Sequence, residues 1–151
     1  MNEAEKARID LKIAIVTGDD LMKKLPKLKE LGIKETDTSE PLPDSCLSVN
    51  AYLGAPGIVT ALEQGADIVI TGRCVDSAMV LAPLMYEFDW SVEDYDLLSA
   101  GSLAGHIIEC GAQCTGGNFT DWKIVDGFDD MGFPIVAVSY THLTLPTKRI
   151  V

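Results

Sequence analysis

Short apolar runs alternate with helical periods along this chain. The clearest run is Ile68-Val69-Ile70, three apolar residues in a row that break at Thr71-Gly72-Arg73. A short continuous run of β-branched residues predicts a strand buried on both faces. Residues 11–16 repeat the theme with Ile13, Ile15 and Val16, and end at Thr17-Gly18-Asp19-Asp20. A helix is expected over 21–31, where Leu21, Leu25 and Leu28 recur at helical spacing, Asp19 or Asp20 stands at the cap and Gly32 at the stop. Pro26 falls inside that pattern and should shorten or kink it. Residues 34–45, with two prolines among Thr, Ser and Asp, read as an irregular connection, and 46–49 as a third strand. A helix over 56–64 opens on Pro56 and closes at Gly65. Residues 2–8 read as the last turns of a helix that begins before the chain does.

Beyond Arg73, Asp76 or Ser77 caps a helix carrying Met79, Val80, Leu84 and Met85, with Pro83 predicting a kink or a late start near Leu81. Ser91 and Asp94 are spaced as a capping pair for a short helix ending near Leu98. A second helix over 99–111 is rich in small residues. Its interior glycines cost up to ~1 kcal/mol each, which predicts a tight contact or a site, and the expected partner is the sheet. A loop at 115–118 and a last short strand within 132–138 complete the reading. The alternation predicts an α/β fold, three-layer, with a mainly parallel sheet, helices on both faces, and incomplete at both ends.

Composition narrows the class. The 151 residues are enough for one domain, and 47% hydrophobic with 23% charged is a globular balance. Twelve Lys and Arg against 23 Asp and Glu give a net charge of −11, which repels polyanions and argues against a nucleic-acid partner. No apolar run nears the roughly 20 residues that span a bilayer, and no secretory signal opens the chain. Cys46, Cys74, Cys110 and Cys114 lack disulfide-framework density and C-x-x-C spacing, and read as reduced thiols in a cytoplasmic protein.

Candidate chemistry gathers at the expected strand ends, where ligands bind in open parallel sheets. The loops there supply Asp19, Asp20, Asn50, Tyr52, Arg73 and Asp76. Arg73 is the only arginine between Arg8 and Arg149, so it is the natural contact for an anionic ligand group in an acidic chain. His106, Glu109 and Cys110 stand at i, i+3 and i+4 and share one helical face. His106 with Glu109 suits general acid-base chemistry, with Asp76 as a further carboxylate; a structural His-Glu pair explains the spacing equally well. The spacing does not fit a metal site, and no metal is assigned. Gly116, Gly117 and Asn118 can bring backbone N–H groups to an oxyanion or phosphate, without the spacing of a nucleotide loop. Gly101 and Gly105 are expected to carry His106 and Glu109 toward the edge that holds Arg73 and Asp76.

Four motifs in order carry a resemblance: Gly18-Asp19-Asp20, Asn50-Ala51-Tyr52-Leu53-Gly54-Ala55, residues 65–73, and residues 100–117 through Gly105-His106 and Glu109-Cys110-Gly111-Ala112-Gln113-Cys114-Thr115-Gly116-Gly117. With them the chain resembles the acyclic terpene utilisation protein family over residues 3–137. The resemblance implies an internal piece of a longer protein of bacterial acyclic terpenoid breakdown (citronellol, geraniol), which runs through acyl-CoA intermediates. It implies a catabolic enzyme acting on an acyclic terpenoid or branched acyl (acyl-CoA) ligand, its cofactor unassigned and the piece alone inactive. The alternative is a non-catalytic binding or assembly subunit of that pathway, including a homo-oligomer. Residues 139–151 resemble translated sequencing-adapter DNA and are expected to be a non-native tail without core contacts. Setting them aside removes Lys148 and Arg149 and leaves His106 the sole histidine.

Overall fold

The computed structural model describes residues 10–138 and the strand Leu143–Thr144. The helix expected over 2–8 lies outside the described residues, as does most of the tail. The chain divides into two units, Met1–Val75 and Asp76–Val151.

In the first unit, strands β1 (Ile13–Val16) and β2 (Ile68–Thr71) pair in parallel, with Ile13 opposite Ile68 and Val16 opposite Thr71. Between them come a 3-10 turn at Met22–Lys24, helix α1 (Leu25–Glu30) and helix α2 (Pro56–Glu63). Pro26 does shorten the expected helix: α1 forms only around it, with the proline in its first turn where a missing N–H costs nothing. The chain leaves α1 and α2 through Gly32 and Gly65, both at positive φ (65° and 76°). Helix α2 covers one face of the sheet so closely that a Cβ on Gly57 would lie 2.7 Å from Val16 Cγ1.

Two expectations are corrected here. Residues 46–49 form no strand, and Leu47 is fully exposed. The chain that follows pairs only through single bridges, Asp20 with Asn50 and Leu53 with Cys74, and forms no ladder. Nor is β2 buried on both faces. Among the described residues only α2 lies on the sheet, so Ile13 (47%), Ile15 (69%), Ile68 (41%) and Ile70 (53%) form an exposed apolar face.

In the second unit, helices α3 (Ala78–Glu87) and α4 (Tyr95–Cys110) pack on each other. Ala78, Ala82 and Met85 of α3, spaced to share a face, are buried, as are Gly101, Ala104 and Gly105 of α4. Pro83 neither delays nor ends α3, which starts at Ala78 and runs through it. The two helices expected over 91–111 are one. Ser91 and Asp94 do pair, with the Ser91 N–H donating to Asp94 Oδ2 at 2.7 Å, but the helix they open continues through Leu98 to Cys110. Burial against α3 offsets the glycine cost.

The partner of the small-residue stripe is also corrected. A Cβ on Gly105 would lie 2.7 Å from the Ser77 carbonyl oxygen and 3.0 Å from Ser77 Cα; one on Gly101 would meet Leu81 Cδ1 at 2.8 Å and Trp90 Cζ3 at 2.9 Å. The tight contact is therefore with α3 and its cap, because helix backbones approach closely only where both faces are small. Gly105→Ala meets backbone that cannot yield and is expected to destabilise by ~1–3 kcal/mol of overpacking. Gly101→Ala meets side chains that can turn away, and its ~1 kcal/mol gain in helix propensity offsets more of the cost. Urea midpoints of the two variants measure the difference; equal midpoints would contradict it.

The unit continues through 3-10 turns at Gly111–Thr115, Trp122–Ile124 and Phe128–Asp130. The strand expected within 132–138 is β3 (Ala137–Val138), which pairs antiparallel with β4 (Leu143–Thr144), inside the stretch set aside as tail.

Candidate functional site

The carboxyl ends of β1 and β2 bring three of the sequence-derived ligand residues together. Asp19, in the loop after β1, accepts the Arg73 N–H at 2.8 Å and an Asn50 Nδ2–H at 3.1 Å on the same oxygen, Oδ2. Its backbone carbonyl accepts the Ala51 N–H at 2.8 Å, and the Arg73 carbonyl accepts the Leu53 N–H at 3.0 Å. One carboxylate thus ties the loop after each strand to the 50–53 segment. Asp20 accepts the Met22 N–H at 2.9 Å, two residues on, but is not the cap expected of it: the 3-10 turn starts after Leu21 and α1 after Lys24, neither with a side-chain cap.

The electrostatics follow from these bonds. The Arg73 N–H is the chief cause that holds the Asp19 carboxyl below its ordinary range; partial burial pushes the other way, and the Asn50 amide adds to the lowering. A carboxylate whose folded pKa is depressed contributes stability above its unfolded pKa, and that contribution is lost as pH falls through the folded value.

Arg73 joins this anchor through its backbone alone. Its guanidinium carbon stands 5.6 Å from the centroid of the Tyr52 ring, a cation-π distance. Among the described residues no carboxylate lies within salt-bridge reach of it, although the chain carries a net charge of −11. Sequence reasoning placed Tyr52 in a strand-end loop without giving it a role, and missed Gly72. Tyr52 lies two positions past Asn50, in a loop already suspected. Gly72 is required because a Cβ there would overlap the Asp19 carboxylate, a need visible only once the two loops meet.

In the second unit, the Gly105–Ser77 contact sets His106 and Asp76, each one residue from that contact, in the same neighbourhood of the backbone. Both side chains are exposed. Glu109 takes its hydrogen bond from the neighbouring thiol, Cys110 Sγ donating to Glu109 Oε2 at 3.5 Å. The glycine-rich loop uses its own donors: the Gly116 N–H bonds the Gln113 carbonyl at 3.4 Å and the Gly117 N–H the Ala112 carbonyl at 2.8 Å. Asn118 Nδ2 donates to Gln113 Oε1 at 3.4 Å. Those N–H groups close a turn, with Gly116 at φ 115°. An open groove of about 410 Å³ runs along α3, lined by Met79, Val80, Pro83, Leu84, Glu87 and Phe88. No group of three or more His, Cys, Asp or Glu able to hold a metal stands among the described residues, and no helix there is long and apolar enough to cross a membrane.

Fold and site together define an α/β protein whose polar residues gather beyond the carboxyl ends of a small parallel sheet. The chain belongs to the acyclic terpene utilisation family: the model of acyclic terpene utilisation family protein AtuA matches residues 1–142. No curated protein and no solved structure matches it.

Proposed function

We propose that this protein is a cytoplasmic catabolic enzyme of acyclic terpenoid breakdown that acts on a branched acyl or acyl-CoA intermediate, as in citronellol and geraniol degradation. The observation that carries the reading is Arg73. Among the described residues no carboxylate pairs with the one strand-end arginine of this acidic chain, its guanidinium lies over Tyr52 and its backbone is pinned to Asp19. That arrangement suits the carboxylate or phosphate of an acyl ligand. His106 is the proposed proton carrier, with Asp76 and Glu109 as the carboxylates that serve it. The apolar groove along α3 is of a character to take a branched hydrocarbon chain. Family membership supports the pathway.

A second reading is favoured by the sheet. The exposed face of Ile13, Ile15, Ile68 and Ile70 is what an assembly subunit, or a fold with a further helix layer on that side, would cover. Calorimetric titration with a branched-chain acyl-CoA separates the two. Saturable binding at micromolar concentration supports the enzyme. No heat at millimolar ligand, with self-association in sedimentation, supports assembly.

A further inference from the structure

Three segments of the first unit meet on one side-chain oxygen. Asp19 Oδ2 accepts the Arg73 N–H at 2.8 Å and an Asn50 Nδ2–H at 3.1 Å, and a Cβ on Gly72 would overlap the carboxylate. The backbone continues the joint: the Ala51 N–H donates to the Asp19 carbonyl at 2.8 Å, and the Leu53 N–H to the Arg73 carbonyl at 3.0 Å. Tyr52 stands between those two bonds, held on one side by Asp19 and on the other by Arg73. The Arg73 guanidinium carbon, 5.6 Å from the centroid of the Tyr52 ring, and the ring itself thus hang from backbone that Asp19 joins.

Two features set this carboxylate apart from an ordinary surface ion pair. It takes the main-chain N–H of Arg73 and forms no salt bridge with the guanidinium among the described residues, which leaves that charge open to a ligand. It also fills the space that a side chain at position 72 would need. We infer that Asp19 is the positioning residue of the anion site: it touches no ligand, and by holding the Arg73 and Asn50 segments on one oxygen it sets the guanidinium over the Tyr52 ring. A cation fixed before its ligand arrives loses less freedom on binding, and that is the affinity Asp19 supplies. The ligand half of the inference rests on the reading of Arg73 as the anion contact; the placement of Arg73 by Asp19 rests on the bonds alone.

The test uses the full chain and two readouts. Without ligand, the Nε–Hε magnetic resonance of Arg73, assigned by its absence in Arg73→Lys, is expected upfield of a free arginine because of the Tyr52 ring current. Asp19→Ala and Tyr52→Leu should each return it to the free value. In calorimetric titration with isovaleryl-CoA, Asp19→Ala should weaken binding several-fold, and Asp19→Asn should recover part of the loss because its amide oxygen accepts the same bonds with less charge. Added to Arg73→Ala, Asp19→Ala should weaken binding no further. Should Asp19→Ala fail to fold, Asp19→Asn and Gly72→Ala, whose new Cβ displaces the carboxylate, carry both readouts. An Arg73 resonance at the free value in the parent, or unmoved by Asp19→Ala, overturns the positioning, as does a lowered urea midpoint with both readouts unchanged. An equal loss from Asp19→Ala with and without Arg73 overturns it as well, since the carboxylate would then act by another route. If Arg73→Ala binds like the parent while the resonance behaves as expected, the anion reading falls and the placement of Arg73 by Asp19 stands.

Discussion

His106→Gln is expected to keep the circular dichroism and urea midpoint of the parent and to lose turnover of a branched acyl substrate by roughly 10²–10⁴, the usual worth of a general acid or base. His106 is exposed on α4, and the contact that fixes the helix is made by Gly105 beside it, so trimming the imidazole removes no core packing. Glutamine retains hydrogen-bonding atoms of similar reach but cannot carry a proton near neutral pH. A less stable protein with normal turnover per folded molecule would assign His106 to structure instead.

The second large effect is expected at Arg73. Arg73→Ala should weaken acyl-CoA binding by ~1.5–3 kcal/mol, on the order of tenfold to a hundredfold, for a lost charged hydrogen bond. The fold should survive because Arg73 serves the structure through its backbone: its N–H bonds Asp19 and its carbonyl bonds Leu53, and alanine keeps both. Arg73→Lys should recover part of the affinity, since charge returns without the planar group that stacks on Tyr52. Calorimetry on the three proteins reads the order directly. Unchanged affinity in Arg73→Ala would make the side chain merely a cover for Tyr52.

Much of the local structure was legible in the chain because local rules decide it. β-Branched runs gave β1 and β2, Pro56 and Gly65 bracketed α2, and Pro26 confined α1. The meeting of Asp19, Asn50 and Arg73 was also accessible, since strand-end loops of a parallel pair lie on one edge. Errors arose where a local signal was overruled by burial elsewhere. Glycines in α4 were read as a close approach to the sheet, yet it is Ser77 and Leu81 that fill the space beside them, and the packing gained outweighs the propensity lost. Residues 46–49 looked like a strand, but they form no ladder and stay a loop, with only the single bridges of Asn50 and Leu53 following them.

By itself, then, the sequence determined the α/β character, the acidic surface, the single strand-end arginine and the family, all of which follow from residue type and near-neighbour spacing. Only the tertiary structure decided what each side chain touches: that Gly72 must lack a Cβ because Asp19 fills the space, that Arg73 lies on Tyr52, and that Glu109 accepts the Cys110 S–H. The first two depend on segments some twenty to fifty residues apart meeting at ångström separations, and the third on rotamers within a single turn of helix. Neither is written in the periods of an apolar pattern, which record the face a residue occupies and not its neighbour there.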